Sequence, residues 1–214
     1  TKEVFGTTLY QIQAIKDFST IKEGDLGGWI EKELNISQEG NAWVYGNARV
    51  YGNARVFEDA RVYGDAWVFG DVEVYGYARV YGDVEVSGNA WVSGNAEVYG
   101  YARVFGDVEV SGNAWVSGNA EVFGDAKVYG NAKVYGYARV YGDAISTKKV
   151  YTSNIIHNLT LTDNHIKYGC EQRTIKEWEV FLTSDEVIET PRYSPRFKVL
   201  AIILKGAIEM SKLV

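Results

Sequence analysis

The stretch GNAWVYGNARVYGNARVFEDARVYGDAWVFGDVEVY, residues Gly40–Tyr75, decides the fold. It is a run of six-residue units that continues without insertion to Tyr141, seventeen units in all. Valine holds the fifth position of every unit, from Val44 to Val140. Alanine holds the third, except at Val72, Val84 and Val108. A short fixed period is the signature of a solenoid, and a hexapeptide period is that of a parallel β-helix. Alternation along each short strand turns Ala and Val inward and the fourth and sixth positions outward.

The expected fold is therefore an all-β solenoid, a single-stranded parallel β-helix. An aliphatic residue at i with a small one at i−2 favours the left-handed form. Three hexads make one triangular coil, so the shaft is about 27 Å long at roughly 4.8 Å rise per coil. Asn or Asp fills most second positions, as at Asn41, Asn47, Asp65, Asp71 and Asn89. These residues tolerate the left-handed backbone that a tight corner needs. Tyr77, Tyr101 and Tyr137 break that rule and predict a strained corner or a different turn.

Stacking three hexads per coil sorts the outward residues into columns. The fourth positions read Trp43, Arg61, Arg79, Glu97, Trp115, Lys133 on the first side. They read Arg49, Trp67, Glu85, Arg103, Glu121, Arg139 on the second, and Arg55, Glu73, Trp91, Glu109, Lys127 on the third. Thirteen of the seventeen sixth positions are Tyr or Phe; the others are Ser87, Ser93, Ser111 and Ser117. Ladders of outward aromatics follow, and they predict an interaction surface that includes Tyr45, Tyr63, Tyr81, Tyr99, Trp67, Trp91 and Trp115. The bland alternative is cross-strand stacking alone.

Residues Gly76–Tyr99 and Gly100–Phe123 are a 24-residue duplication, differing only at Tyr81/Phe105 and Tyr99/Phe123. Four hexads exceed a three-hexad coil by one, so the second copy is rotated onto the next side. A catalytic constellation copied this way would fall out of register. A spacer or a repeated surface would not.

Residues 1–39 read as an N-terminal β cap, 40–145 as the solenoid, and 146–214 as irregular strands and C-terminal helices. In the cap, Leu9–Ile15 alternates like a half-buried strand, and a second strand includes Trp29 and Ile30. The glycines of Gly24-Asp25-Leu26-Gly27-Gly28 match no phosphate-loop spacing. They predict a tight turn, with Trp29 covering the first coil. After Ser146, where valine was due, Val150–Leu161 and His165–Tyr168 predict strands that continue or close the solenoid. Thr174-Ile175-Lys176-Glu177 is a capping box that opens a helix containing Trp178, Phe181 and Leu182. Ser194-Pro195 opens a second helix. Its apolar positions Phe197, Leu200, Leu204 and Ile208 predict either an oligomerisation element or a cap across the last coil.

Leu9–Ala48, LYQIQAIKDFSTIKEGDLGGWIEKELNISQEGNAWVYGNA, resembles the opening of the YdcK-type family of bacterial and phage hexapeptide-repeat proteins, whose members are labelled transferases. The resemblance implies a β-helix and carries no catalytic residues. Proteins of this repeat type are typically trimers with shafts side by side, which makes a homotrimer the expected assembly. Ile166–Lys198, with its GC–x–x–x–T-I–x–E-W pattern, resembles the tails of phage and prophage proteins, which implies a viral or prophage origin and no particular reaction.

A net charge of −6 argues against a nucleic-acid binder. A single cysteine, Cys170, excludes an internal disulfide and fits a reducing compartment. No leader and no apolar run of about 18 residues is visible, so a cytoplasmic protein without membrane contact is expected. The sequons Asn35-Ile36-Ser37 and Asn158-Leu159-Thr160 are then without consequence.

Three functions are compatible with this sequence. A non-enzymatic scaffold that binds a host protein, such as a phage-borne defence inhibitor, fits the ladders and the tail. A hexapeptide-repeat acyltransferase would need a histidine base. Only His157 and His165 exist, both beyond the shaft, and no loop interrupts the coils. Sequestration of a small ligand between protomers is the third. Two histidines and one cysteine make a poor zinc set, and Cys170 with His165 lacks an orienting third group. No metal, cofactor or catalytic residue is expected.

Overall fold

The computed structural model describes residues 1–142, 144–146, 151–153, 159–168, 171–184 and 195–213. Its body is a parallel β-solenoid of three sheets whose strands recur every 18 residues. Arg79 pairs in parallel register with Arg61 on one edge and Glu97 on the other, and Val80 with Val62 and Val98. Each flat donates to the next coil seventeen residues on, as in Trp43 N to Ala60 O at 3.1 Å and Tyr45 N to Val62 O at 2.8 Å. Third- and fifth-position residues from Val44 to Val140 are at most 1% exposed and form one continuous core. Burial is worth about 1.5–3 kcal/mol for each such valine, offset by the entropy of ordering the chain.

The corners differ from the sequence expectation. The left-handed residue is the glycine at the first position, with φ of 58° at Gly46 and 78° at Gly88. Glu58, which replaces that glycine in one unit, also has φ of 60°. No second-position residue, Tyr77, Tyr101 and Tyr137 included, has a positive φ. The corner takes glycine for space as well as for φ: a Cβ at Gly88 would lie 2.6 Å from Gly106 N. The second position contributes its backbone, donating Tyr77 N to Gly94 O and Asn95 N to Gly112 O at 2.8 and 2.7 Å. Any side chain can do that, so the tyrosines cause no strain. Where Asn and Asp do stand there, their side chains link coils, as in Asn89 Nδ2 to Asp107 Oδ1 at 2.6 Å and Asn95 Nδ2 to Asn113 Oδ1 at 3.1 Å.

At the N-terminal end, β1 (Lys2–Val4), β2 (Thr7–Gln13) and β3 (Leu26–Ile30) form an antiparallel sheet. Strand β3 then joins the second side in parallel, Trp29 with Arg49 and Ile30 with Val50. Ile36 bridges Val56 on the third side. The coil stack thus begins ahead of Gly40. Trp29 does not cover the first coil. It continues the outward column, with Lys2 Nζ 5.7 Å from its ring. Ala14, Ile21, Ile12 and Phe18 close the coil instead, and the Phe18 ring lies 5.4 Å from that of Trp43.

The turn reading holds for Gly24, with φ of 92°, and not for Gly27 or Gly28, which are buried in β3. A Cβ on Gly28 would lie 2.6 Å from Val44 Cγ1 and 2.7 Å from Ala48 O, so close approach demands that glycine. Asn35 is fully buried next to this strand. Its Nδ2 donates to Gly52 O and Ala54 O, and its Oδ1 accepts from Glu31 N and Lys32 N. This sequon asparagine therefore has both amide hydrogens engaged.

The C-terminal strands do not continue the parallel stack, which ends at Ile145–Ser146. Tyr151–Ser153, Leu159–Leu161, His165–Tyr168 and Glu171–Thr174 form an antiparallel meander. It closes on the last coil through Gln172 Nε2, which donates to Tyr141 O at 2.7 Å, and through Lys167 Nζ, 5.0 Å over the Tyr141 ring. Helix α1 (Ile175–Thr183) opens with the expected capping box: Glu177 N donates to Thr174 Oγ1 and Thr174 N to Glu177 Oε2. Helix α2 (Pro195–Leu213) packs on α1, with the Phe181 and Phe197 rings 6.1 Å apart. Together they bury a second core against the meander. Ser194, His157, Asn158 and Cys170 lie outside the described residues.

Gly28→Ala is expected to destabilise the fold by about 1–3 kcal/mol, the usual range for overpacking. Urea unfolding checks this, and a midpoint equal to wild type would remove the close-approach argument.

Candidate binding surfaces

The outward columns fall where the hexads put them. On the first side Tyr63, Tyr81 and Tyr99 stack nearly parallel at 4.7 and 5.0 Å, and Tyr45 meets Tyr63 edge-on at 6.2 Å. Tyr51 stacks on Phe69 at 5.0 Å on the second side, and Phe57 on Tyr75 at 4.9 Å on the third. Such pairs contribute about 0.5–1.5 kcal/mol each beyond the area they bury. The rings thus spend much of their surface on one another. Tyr45, Tyr63, Tyr81 and Tyr99 are only half-exposed, as is Trp67, whose ring carries the Arg49 guanidinium at 4.8 Å.

The open apolar surface lies elsewhere. Trp91 and Trp115 are 51% and 40% exposed. Each shares a strand face with a serine, Ser93 and Ser117, itself buried. Among the thirteen ladder rings the exposed ones are Phe105, Tyr129 and Tyr135, at 39%, 37% and 40%. Each of these follows a serine one coil earlier in its column: Ser87, Ser111 and Ser117. A missing ring uncovers the next one. The sequence contained this signal, in the position of each serine within its column.

Charges are arranged for register. Arg79 lies 3.5 Å from Glu97, Arg55 3.6 Å from Glu73 and Arg139 2.8 Å from Glu121, all substantially exposed. Such pairs are worth about 0–1 kcal/mol. Among the described residues no group of three or more His, Cys, Asp and Glu is placed to hold a metal ion.

His165 is 6% exposed within the meander, where its N–H donates to Thr162 Oγ1 at 3.0 Å. It stands in the C-terminal piece and not between coils. Phe197, Leu200, Leu204 and Ile208 are at most 9% exposed and belong to the second core with Trp178, Phe181 and Ile166. Their apolar face covers the chain's own meander and α1. Of the apolar residues of α2 whose side chains are described, Val199, Ile202 and Met210 are the exposed ones.

One feature was not legible in the sequence. Beneath the β2–β3 hairpin, at the N-terminal mouth of the coils, a cavity of about 330 Å³ is lined by Ile12, Phe18, Ile30, Ile36, Ala42 and Trp43, with Gln13, Glu33 and Gln38 among its polar groups. It arises from the path of β2 across the coil, which no local pattern encodes.

Burial pushes the Tyr81 hydroxyl well above its ordinary range, and the hydrogen bond it donates to Glu97 Oε2 at 3.1 Å adds to this. Burial raises Tyr63 and Tyr51 in the same direction. A raised folded value means the neutral phenol is favoured by folding. The contribution is complete below the unfolded value of about 10 and is lost as pH rises through the folded value. Stability is therefore expected to fall above about pH 10, with part of the phenolate absorbance appearing only on unfolding. Tyr81→Phe should lessen that loss, and an unaltered alkaline profile would contradict it.

Comparison with known proteins agrees with the shaft. The family described as "YdcK Beta solenoid repeat" matches residues 42–58, 48–64 and 78–94. The chain is 51% identical over 37 residues to a protein of Escherichia coli (strain K12) described as "Uncharacterized acetyltransferase YdcK". That match spans 17% of this chain and 11% of the relative's length. The protein is thus YdcK-like in its repeats, a β-solenoid of that type.

Proposed function

We propose that the protein is a non-enzymatic β-solenoid that binds another protein through the sides of its shaft. The observation that carries this reading is the exposure of Trp91 and Trp115 on a rigid surface. Tryptophan is enriched where partners dock, because a large ring buries much area at little entropic cost. The duplication supports the same reading. It sets Trp91 on the third side and Trp115 on the first, a change that a contact surface tolerates and a catalytic set does not. The resemblance of the tail to phage proteins supports a phage- or prophage-borne accessory that acts on a host protein, as a defence inhibitor does. The repeat type supports a side-by-side homotrimer.

An acyltransferase is the second reading, favoured by the description of the E. coli relative as an acetyltransferase, although the match covers 11% of that protein's length. A base for that chemistry has to reach the acceptor's proton. The burial of His165 weighs against that role.

Capture from lysates of a host bacterium tests the first reading with the double variant Trp91→Ser, Trp115→Ser. Both rings are on the surface, so the variant should keep the thermal stability of wild type and lose a protein that wild type retains. Unchanged capture, or saturable binding of acetyl-CoA by calorimetry, would overturn it. Solution mass should correspond to three chains of 23.9 kDa.

A further inference from the structure

The second side carries five rings and one gap. Its sixth positions run Tyr51, Phe69, Ser87, Phe105, Phe123 and Tyr141. Below the gap Tyr51 stacks on Phe69 at 5.0 Å. Above it Phe105 stacks on Phe123, and Phe123 on Tyr141, both at 4.9 Å. Ser87 is in register with Phe105, and Phe69 N donates to Val86 O in the coil of the serine. The Phe69 and Phe105 positions are therefore two coil steps apart, about 9.6 Å at the spacing of paired strands. That is the separation at which one inserted ring would face both neighbours at the ladder's own spacing. The buried Ser87 forms the floor, and Phe105 stays 39% exposed although its other neighbour, Phe123, is stacked on it.

The surroundings narrow the occupant. Beside the gap an open recess of about 430 Å³ is lined by Arg49, Asp65, Trp67, Asp83, Val84 and Glu85. Three carboxylates and the Arg49 guanidinium line it, that guanidinium lies on the Trp67 ring, and Arg103 adjoins Glu85 in the next coil, so carboxylates outnumber guanidiniums three to two. The recess favours a cation. Glu85 precedes Ser87 by two residues in one strand. An extended segment laid along that strand covers the same distance in two residues, about 6.6 Å.

We propose that the gap at Ser87 is a slot for a phenylalanine or tyrosine ring of a protein partner, carried on an extended segment with a lysine or arginine two residues away. The ring completes the ladder between Phe69 and Phe105, and the cation lies over Asp65, Asp83 and Glu85. The slot is on the second side, whereas Trp91 and Trp115 are on the other two. Failure of the tryptophan surface would therefore leave it standing, and the reverse also holds.

The protein is labelled with fluorophenylalanine, and the Phe105 resonance is assigned with Phe105→Tyr. It is titrated with the peptide acetyl-Lys-Ser-Phe-amide and with its leucine counterpart. The phenylalanine peptide is expected to shift the Phe105 resonance saturably, and the leucine peptide to bind about five-fold more weakly for want of stacking. Ser87→Phe should raise the thermal midpoint, because it restores the ladder, and abolish the shift. Ser87→Leu should abolish the shift as well, by filling the slot without a ring. No saturable shift in the wild type, equal binding of the two peptides, or the same shift in folded Ser87→Phe would each overturn the proposal. The comparison of peptides on the wild type decides the matter even where a variant fails to fold.

Discussion

Everything in the shaft depends on the hydrogen bond from a flat's N–H to the carbonyl seventeen residues on. It sets each residue directly beside the one 18 positions away, as Val80 stands between Val62 and Val98. Every column must then be made of side chains that tolerate their own kind at about 4.8 Å. Valine does so inside the core and a flat ring does so outside it. Glycine does so at the corners, where backbone meets backbone. The charged columns mix signs, as where Arg79 meets Glu97 and Arg139 meets Glu121, although Arg79 also stands beside the like-charged Arg61.

The duplication interacts with that constraint. A 24-residue copy on an 18-residue coil moves each feature to the next side. Ser87 on the second side becomes Ser111 on the third, and Ser93 on the third becomes Ser117 on the first. A single event therefore left every side with an interrupted ladder and gave the third side two gaps in succession. The inner positions were unaffected, because Ala and Val occupy them on all three sides. The core thus tolerates rotation, and the outer surface records it.

What was legible in the sequence follows the same division. The inward Ala and Val, the three columns and the capping box at Thr174 could be read because a fixed period or a local motif determines them. The corner could be read only in part. Glycine and Asn or Asp are adjacent, and only the contact of Gly88 with Gly106 shows which of them takes the left-handed backbone. Gly28 looked like a turn residue because its reason lies across space, in Val44 and Ala48. Whether the strands after Ser146 continue or close the solenoid could not be read, because strand propensity says nothing of pairing direction. The apolar face of α2 was visible, while the surface it covers depends on the meander. Trp91 and Trp115 were placed correctly in their columns, but their greater exposure relative to Tyr63 or Tyr81 depends on which neighbour is a serine.

The two ends solve one problem by different means. A coil stack exposes a row of unpaired backbone groups and an open core at each end. At the N-terminal end β1 and β2 extend the second side antiparallel, and Ile12, Phe18 and Ile21 lie over the core. Apolar side chains reaching over from one hairpin cannot fill a triangular mouth completely, and the cavity of about 330 Å³ is the remainder. At the C-terminal end the closure uses polar contacts, Gln172 to Tyr141 O and Lys167 over the Tyr141 ring. Those contacts tie the meander to the last coil without merging the cores, because Leu161 and Ile166 of the meander pack with Trp178 of α1 and Leu200 and Leu204 of α2. A change in the C-terminal core should therefore loosen that end-piece and leave the valine stack intact. A change at the N-terminal mouth acts on the shaft core directly.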